Sequence, residues 1–427
     1  MQFAVRIITI SVSIVLMVGL SFGETGAADL ASASKQGSLS RWRSGVVRIA
    51  LSSSFTKNIV NLKPGSDVAG ALERSIGHWA EIADVNISVT QSDKQSISPS
   101  GAKGDGVSLI TIAQTPENVT LFDSDATDVS ARTRVFTDGR GGITEADIAL
   151  NPFAQFSTDG SFGTYDLESV LTHEIGHLLG LRHSPVMGSV MHSNVDLNGV
   201  RIGSLISRKS LSAEDIATIR SLYGPAAATA DCCGSVQGTI GGPGKIGDGF
   251  DVFVYNDLGS AAGSAKLDAV KKFTISGLTS GEYTAVLHDP KLVYADQVVG
   301  KFRISGSGST VFNERVVPKR SSMALEYIGS EGLLTDSAAK VLPGTVIAVT
   351  IGGKGLKADL IDVGSDSPQL TVVPGSVKDV DYADGVTALR FELEVSADAA
   401  PGSYSLFVEN KDGEREYLAG GLAVIDR

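Results

Sequence analysis

At 427 residues the chain is longer than one ordinary core can organise, so two or three domains are expected. A hydrophobic share of 42%, with 49 glycines and 13 prolines, argues against a disordered chain and describes turn-rich globular material. The net charge of −12 argues against nucleic acid and anionic membrane surfaces as partners, because both demand a basic face.

Residues 1–28 read as an export signal. MQFAVR carries one arginine, IITISVSIVLMVGL (7–20) is an apolar run of signal length, and small residues follow, with cleavage after Ala28 or near Gly23. The run is shorter than a membrane-spanning helix requires, so a secreted protein, extracellular or periplasmic, is expected; an uncleaved anchor is the alternative. Residues 29–40 form a small, polar lead-in.

From Trp42 the texture changes. GVVRIAL (45–51), NISVTQ (86–91), VSLITIA (107–113), ARTRVF (131–136) and ITEADIAL (143–150) read as strands. Between the first two, residues 64–83 place Val68, Leu72, Ile76 and Trp79 at helical spacing. His78 in that helix has no histidine or cysteine near it in sequence and reads as a surface or packing residue. Asp123, Asp125 and Asp128 share a loop whose oxygens suit calcium, yet the loop lacks the glycine and terminal glutamate of an EF-hand. A merely solvated acidic loop is the competing reading.

Residues 172–191, THEIGHLLGLRHSPVMGSVM, dominate the chain's chemistry. His173 and His177 are an i,i+4 pair, so both imidazoles leave one helix face a turn apart. Glu174 lies roughly 100° further round, beside a metal held there rather than on it. Gly180 can take a positive φ, end the helix and turn the chain, bringing His183 back as a third nitrogen. Three neutral imidazoles with one open position describe a catalytic zinc, not a closed structural site. A lone His-Glu-x-x-His is often accidental. Here Leu167, Leu171, Ile175 and Leu178 form one apolar stripe, and the two histidines should point away from it. Asp166 reads as the cap of this helix.

A loop (193–210) leads to LSAEDIATIRSLYG (211–224), a helix marked by Ser212 as cap, Glu214 and Asp215 in its first turn and Gly224 as its stop. Residues 225–234 read as a linker. The only cysteines, Cys232 and Cys233, are adjacent and form no disulfide framework. A vicinal bond, a link to another chain and two free thiols all stay open. Beyond them DVFVYND, KKFTISGL, GEYTAVLHD, KFRIS, and then TVIAVTIGG, TALRFELEVS, GSYSLFVEN and LAGGLAVID alternate apolar with polar residues. Two all-β sandwich domains, 235–325 and 326–427, are expected. His288 reads as a surface residue.

On its zinc motif the sequence resembles a metzincin metalloprotease of the matrixin, or matrix-metalloproteinase, type. Ser184 follows the third histidine as in matrixins, and Met191 lies at the spacing of the family's Met-turn. LSAEDIATIRSLYG and ALERSIGHWAEIADVNISV resemble the closing and first helices of the family's catalytic domain. The resemblance covers about residues 41–224. It implies an α+β domain, a mixed twisted sheet with three helices, in which His173, His177 and His183 bind zinc, Glu174 is the general base and Met191 underlies the histidines. It implies that strand 131–136 is an open edge for an extended substrate, which suits main-chain recognition of a peptide. Arg132 and Arg134 stand where a ligand of the family's second zinc would be, and Asn151 stands near a usual calcium aspartate. No cysteine precedes the motif to act as a latency switch. The C-terminal modules resemble immunoglobulin-type or carboxypeptidase-regulatory-like sandwiches of bacterial secreted proteins.

The expected function is a secreted zinc endopeptidase that hydrolyses protein substrates with water activated at zinc and deprotonated by Glu174. The alternatives are a surface- or polymer-binding protein with an inert first domain, and an amidase or esterase using the same zinc.

Overall fold

The computed structural model describes residues 40–56, 60–101, 103–122, 129–194, 197–199, 210–227, 231–242, 246, 249–330, 333–382 and 385–425. The export signal, nearly all of the lead-in, Asp123, Asp125, Asp128 and most of the loop 193–210 lie outside the described residues.

The first domain is built on strands β1 (Val46–Ser52), β2 (Asn86–Ser92), β3 (Ser108–Thr111), β4 (Ala131–Thr137) and β5 (Ile143–Leu150). Their order is β2-β1-β3-β5-β4. β1, β2, β3 and β5 run parallel, and β4 alone is antiparallel, on the edge. A parallel sheet needs helices on its faces to cover it. α1 (Val68–Ala80) and α3 (Leu167–Leu178) supply one such layer, crossing at Trp79, which is fully buried. The Trp79 indole N–H donates to the Thr172 carbonyl at 2.9 Å, and Ser75 Oγ donates to the Glu168 carbonyl at 3.0 Å. Core residues from both helices and the sheet form one cluster with Leu171, Ile175, Ile110 and Ile148.

Two details depart from the sequence reading of this domain. There are four helices rather than three among the described residues: a short α2 (Pro116–Val119) is added, started by the Thr115 side chain on Asn118 N–H. α3 is buried almost all round, so His173, on the side away from the apolar stripe, is covered as well. α4 (Ala213–Tyr223) closes the domain with a complete capping box, Ser212 and Asp215 each accepting from the other's backbone N–H.

Ala226 N–H donates to the Ile82 carbonyl, Cys232 and Cys233 form a disulfide, and the next strand begins at Gly234. Strands Ala261–Lys266, Asp251–Asn256, Gly281–His288 and Gln297–Ile304 make one sheet; Lys272–Leu278, Gly234–Gly241 and Ser309–Arg315 make another. They close over a shared core that includes Val236, Val254, Phe273 and Ala285. A second pair of sheets follows. One is built on Val346–Lys354 and Thr387–Val395, the other on Gly402–Asn410 and Arg415–Val424, over Ile351, Phe391, Leu406 and Leu422.

The three bodies meet at the turn between His183 and Met191. Val186 is fully buried with Phe253, Tyr255 and Tyr417, and Met187 enters the core of the last body beside Met323 and Leu422. Met187 N–H donates to the Ala419 carbonyl at 2.9 Å. A Cβ at Gly188 would meet Ser403 Oγ and the Gly420 carbonyl, so only glycine lets the two backbones approach this closely. The C-terminal half therefore clasps the turn that carries the third histidine.

Met187→Ala is expected to lower the unfolding free energy of the full chain by roughly 2–3 kcal/mol, the cost of deleting a buried side chain. Denaturant unfolding checks this, and an unchanged midpoint would mean that the clasp contributes no stability.

Candidate metal centre and catalytic site

α3 begins where Asp166 accepts from Ser169 N–H, 2.9 Å away. It ends where the sequence demands. Leu181 N–H donates to the Gly176 carbonyl and Gly180 N–H to the His177 carbonyl, a complete Schellman closure, with Gly180 at φ 100°. A Cβ on Gly180 would also strike the Ser40 carbonyl. His177 thus sits in the last turn, and the chain reverses to bring His183 alongside.

The three imidazoles converge. Their ring centroids are 4.7, 5.3 and 4.8 Å apart, and one nitrogen of each lies within 4.8 Å of the other two. His173 Nδ1 is 2.7 Å from the Val190 carbonyl and His177 Nδ1 is 2.9 Å from that of Leu181. A carbonyl only accepts, so both Nδ1 atoms carry hydrogen and both Nε2 atoms present lone pairs. Orientation of a ligating histidine by a backbone carbonyl is the usual support of a metal site, and the donor set fits a divalent zinc-type ion. The group comprises the histidines and not Glu174.

Glu174 is buried, and its Oε2 accepts from Thr133 Oγ1 at 2.5 Å. Burial pushes its carboxyl up to about 7, against the pull of the Thr133 hydrogen bond and the Arg132 charge. Thr133 lies on the edge strand β4, so the acid of the motif is tied to the strand beside it. Sequence alternation gave no reason to single Thr133 out.

Met191 is buried against the helix that carries His173 and His177, and a Cβ on Gly176 would fall 2.3 Å from its sulfur and 3.0 Å from Trp79 Cζ2. Gly176 inside a helix carries a penalty against alanine, and here close packing explains it. The turn above Met191 is held by Asp215. Its carboxylate accepts from Ser189 Oγ at 2.6 Å, Val190 N–H at 2.9 Å and Ser212 Oγ at 2.7 Å. The sequence reading saw only a first-turn acid here. Neighbouring Glu214 is buried between the hydroxyls of Ser184 and Ser264, linking the third-histidine loop to the second body. Burial pushes Glu214 up to about 7. A cleft lined by His183, Ser184, Glu214, Ser264 and Ile275 opens along this seam.

Elsewhere Arg134 is buried and pairs with Glu117 at 2.7 Å, so a fixed positive charge occupies the strand where the family would place a second-zinc ligand. Asn151 binds the Val129 carbonyl and Phe153 N–H at 2.6 and 2.9 Å, and nothing points to calcium there. His78 is half-buried and lies 3.2 Å from Glu168, a packing role.

Three converging histidines, two with rings oriented by backbone carbonyls, and a buried acid next in sequence to the first make a group that could hold a metal ion. Residues 54–224 match the Matrixin family model, and this part of the chain is of the matrixin metalloprotease type. It is 29% identical over 169 residues to Metalloendoproteinase 1-MMP of Arabidopsis thaliana, covering 37% of this chain and 38% of that protein. It is 25% identical over 174 residues to interstitial collagenase of Oryctolagus cuniculus, covering 40% and 32%. The chain therefore spans well under half the length of these relatives. Among solved structures, the major pilin subunit BcpA of Bacillus cereus matches at a TM-score of 0.19 and 17% identity, covering 46% of this chain and 69% of that one, a likeness that carries no argument.

Two outcomes follow from this packing. Gly176→Ala should cost about 1–3 kcal/mol by overpacking against Met191 and Trp79, read as a lowered melting temperature. Glu214 takes up a proton in the folded state between its ordinary 4.5 and about 7, so its contribution to stability falls as pH rises through that window. Glu214→Gln should flatten this slope and stabilise the protein at pH above 7 by on the order of 3 kcal/mol, measured by unfolding at acidic and alkaline pH.

Proposed function

We propose that the chain is an exported zinc endopeptidase. The observation that carries this reading is the placing of Glu174, buried beside three metal-competent imidazoles without joining them. His173, His177 and His183 would hold the ion. Bound there, zinc supplies a Lewis acid that polarises a carbonyl and acidifies water. Glu174 takes the proton of the attacking water and returns it to the departing amine nitrogen. Thr133 donates to the carboxylate and holds it in place. A purely structural metal would have no use for an adjacent unligated acid.

The substrate is a protein or peptide in extended conformation. β4 is the sheet edge, antiparallel to β5, and its free side can pair with a substrate main chain next to Glu174. The paired sheets of the C-terminal half support the reading of two β-sandwich modules, and their hold on Val186 and Met187 makes them part of the enzyme's frame. Export rests on the apolar N-terminal run; no helix among the described residues is long and apolar enough to cross a membrane.

Glu174→Ala in the full chain should keep the wild-type zinc content by elemental analysis while casein cleavage falls by at least ~100-fold, the scale of a lost general base. Undiminished turnover would refute the assigned base, and proteolysis insensitive to a zinc chelator would refute the peptidase reading.

A further inference from the structure

A second convergence of ionisable groups lies outside the zinc motif, where the second and third bodies meet. His288 ends the strand Gly281–His288, Asp296 precedes Gln297–Ile304, and Glu416 lies on Arg415–Val424. One ligand-capable atom of each lies within 4.8 Å of the other two, the same criterion that the zinc histidines meet. The sequence reading of His288 as a surface residue is therefore corrected: its side chain is 18% exposed, its ring packs edge-on to Phe253, and it faces two acids rather than water.

Asp296 and Glu416 are 7% and 1% exposed. His288 Nδ1 and Asp296 Oδ1 are 2.7 Å apart, and Asp296 Oδ2 accepts from Tyr417 N–H at 2.8 Å. Glu416 Oε1 accepts from Ser321 Oγ at 2.5 Å. Its Oε2 is buried with no hydrogen-bond partner. Among the described residues no lysine or arginine forms an ion pair with Asp296 or Glu416; Lys266 is engaged with Asp251 and Arg415 with Glu409 and Asp366. Two buried carboxylates thus share one imidazole, and an orphaned buried oxygen calls for an occupant.

We propose that His288, Asp296 and Glu416 bind one divalent cation of the zinc or manganese class, which ties the second body to the third. One imidazole and two carboxylates are ligands for such an ion, whereas calcium takes six to eight oxygens. Ligand atoms at about 2.0–2.2 Å from a common ion in a tetrahedral array lie roughly 3.3–3.6 Å apart, so His288 Nδ1 and Asp296 Oδ1, at 2.7 Å, must part by several tenths of an ångström and the widest pair must draw in by up to about 1.5 Å. The ion takes the place of the proton now shared by His288 and Asp296, and Glu416 Oε2 gains the partner it lacks. The three residues come from two separate bodies, so the ion would bridge them.

The test is metal stoichiometry of the full-length chain, stripped by chelation and re-equilibrated with zinc alone or manganese alone, then freed of excess ion. The wild type should bind two equivalents of zinc. His177→Ala should keep one, and Glu416→Gln, which preserves size, should also keep one; the double variant should keep none. In the His177→Ala background, zinc should raise the melting temperature, and adding Glu416→Gln should abolish that shift. His288→Ala, checked for folding by circular dichroism, should repeat the loss seen with Glu416→Gln. A wild type that binds one equivalent, all of it lost in His177→Ala, would overturn the proposal and leave a proton-bridged pair only. One equivalent that survives His177→Ala but not Glu416→Gln would support this site while sinking the catalytic one.

Discussion

The convergence of the three histidines depends on one buried carboxylate, that of Asp215. Between Gly180 and Met191 the chain must leave a helix, deliver a third imidazole, and dive back beneath the first two. Irregular backbone of this kind is stable in a protein interior only if its N–H groups find acceptors. Asp215 provides them for Val190 and for the Ser189 hydroxyl while capping its own helix through Ser212. Val190 in turn offers its carbonyl to His173 Nδ1. The tautomer of His173 is thus fixed through a chain of contacts that begins on α4, more than thirty residues further along the sequence. Charge-assisted bonds of this sort are the stronger ones, which suits a loop that has no secondary structure of its own.

The same loop explains why the C-terminal half belongs with the catalytic part. Val186 and Met187 are apolar residues on a turn, a poor choice if the turn faced water. They are buried because Phe253, Tyr255, Tyr417 and the core around Leu422 receive them. Glu214 adds a polar fastening through Ser184 and Ser264. Burial of large apolar side chains at a junction holds it more firmly than exposed ion pairs do. A module attached by a flexible tether would present its own surface independently. One that grips the segment between the third histidine and the Met-turn instead shares its stability with the metal centre.

What could be read from the sequence was what depends on near neighbours. The i,i+4 histidines, the glycine stop, the caps at Asp166 and Ser212 and the five alternating strands of the first sheet follow from periodicities of a few residues. Contacts closed by folding stayed hidden. Thr133 reaches Glu174 only because β4 lies beside α3, and no spacing rule pairs them. Strand Gly234–Gly241 passed unnoticed because its glycines break the alternation, and Gly238 is needed there since a Cβ would strike the Phe312 carbonyl. His288 looked solitary for the same reason: its partners Asp296 and Glu416 are set beside it by a strand pairing and a junction between bodies.

The two His-containing clusters differ in their access to solvent and in where their residues come from. The three converging histidines grade from buried to exposed, His173 inside, His177 between, His183 at the surface, so one side of the group opens to solvent. The acid beside them is anchored to an edge strand that can receive a peptide. At His288 the two carboxylates are buried, the third side is closed by Phe253, and the groups come from two bodies rather than one helix. An ion in the first setting has a reason to keep a free corner, because water and a carbonyl can reach it. An ion in the second can only hold surfaces together, and its worth would be measured in the rigidity of the junction that grips Val186 and Met187.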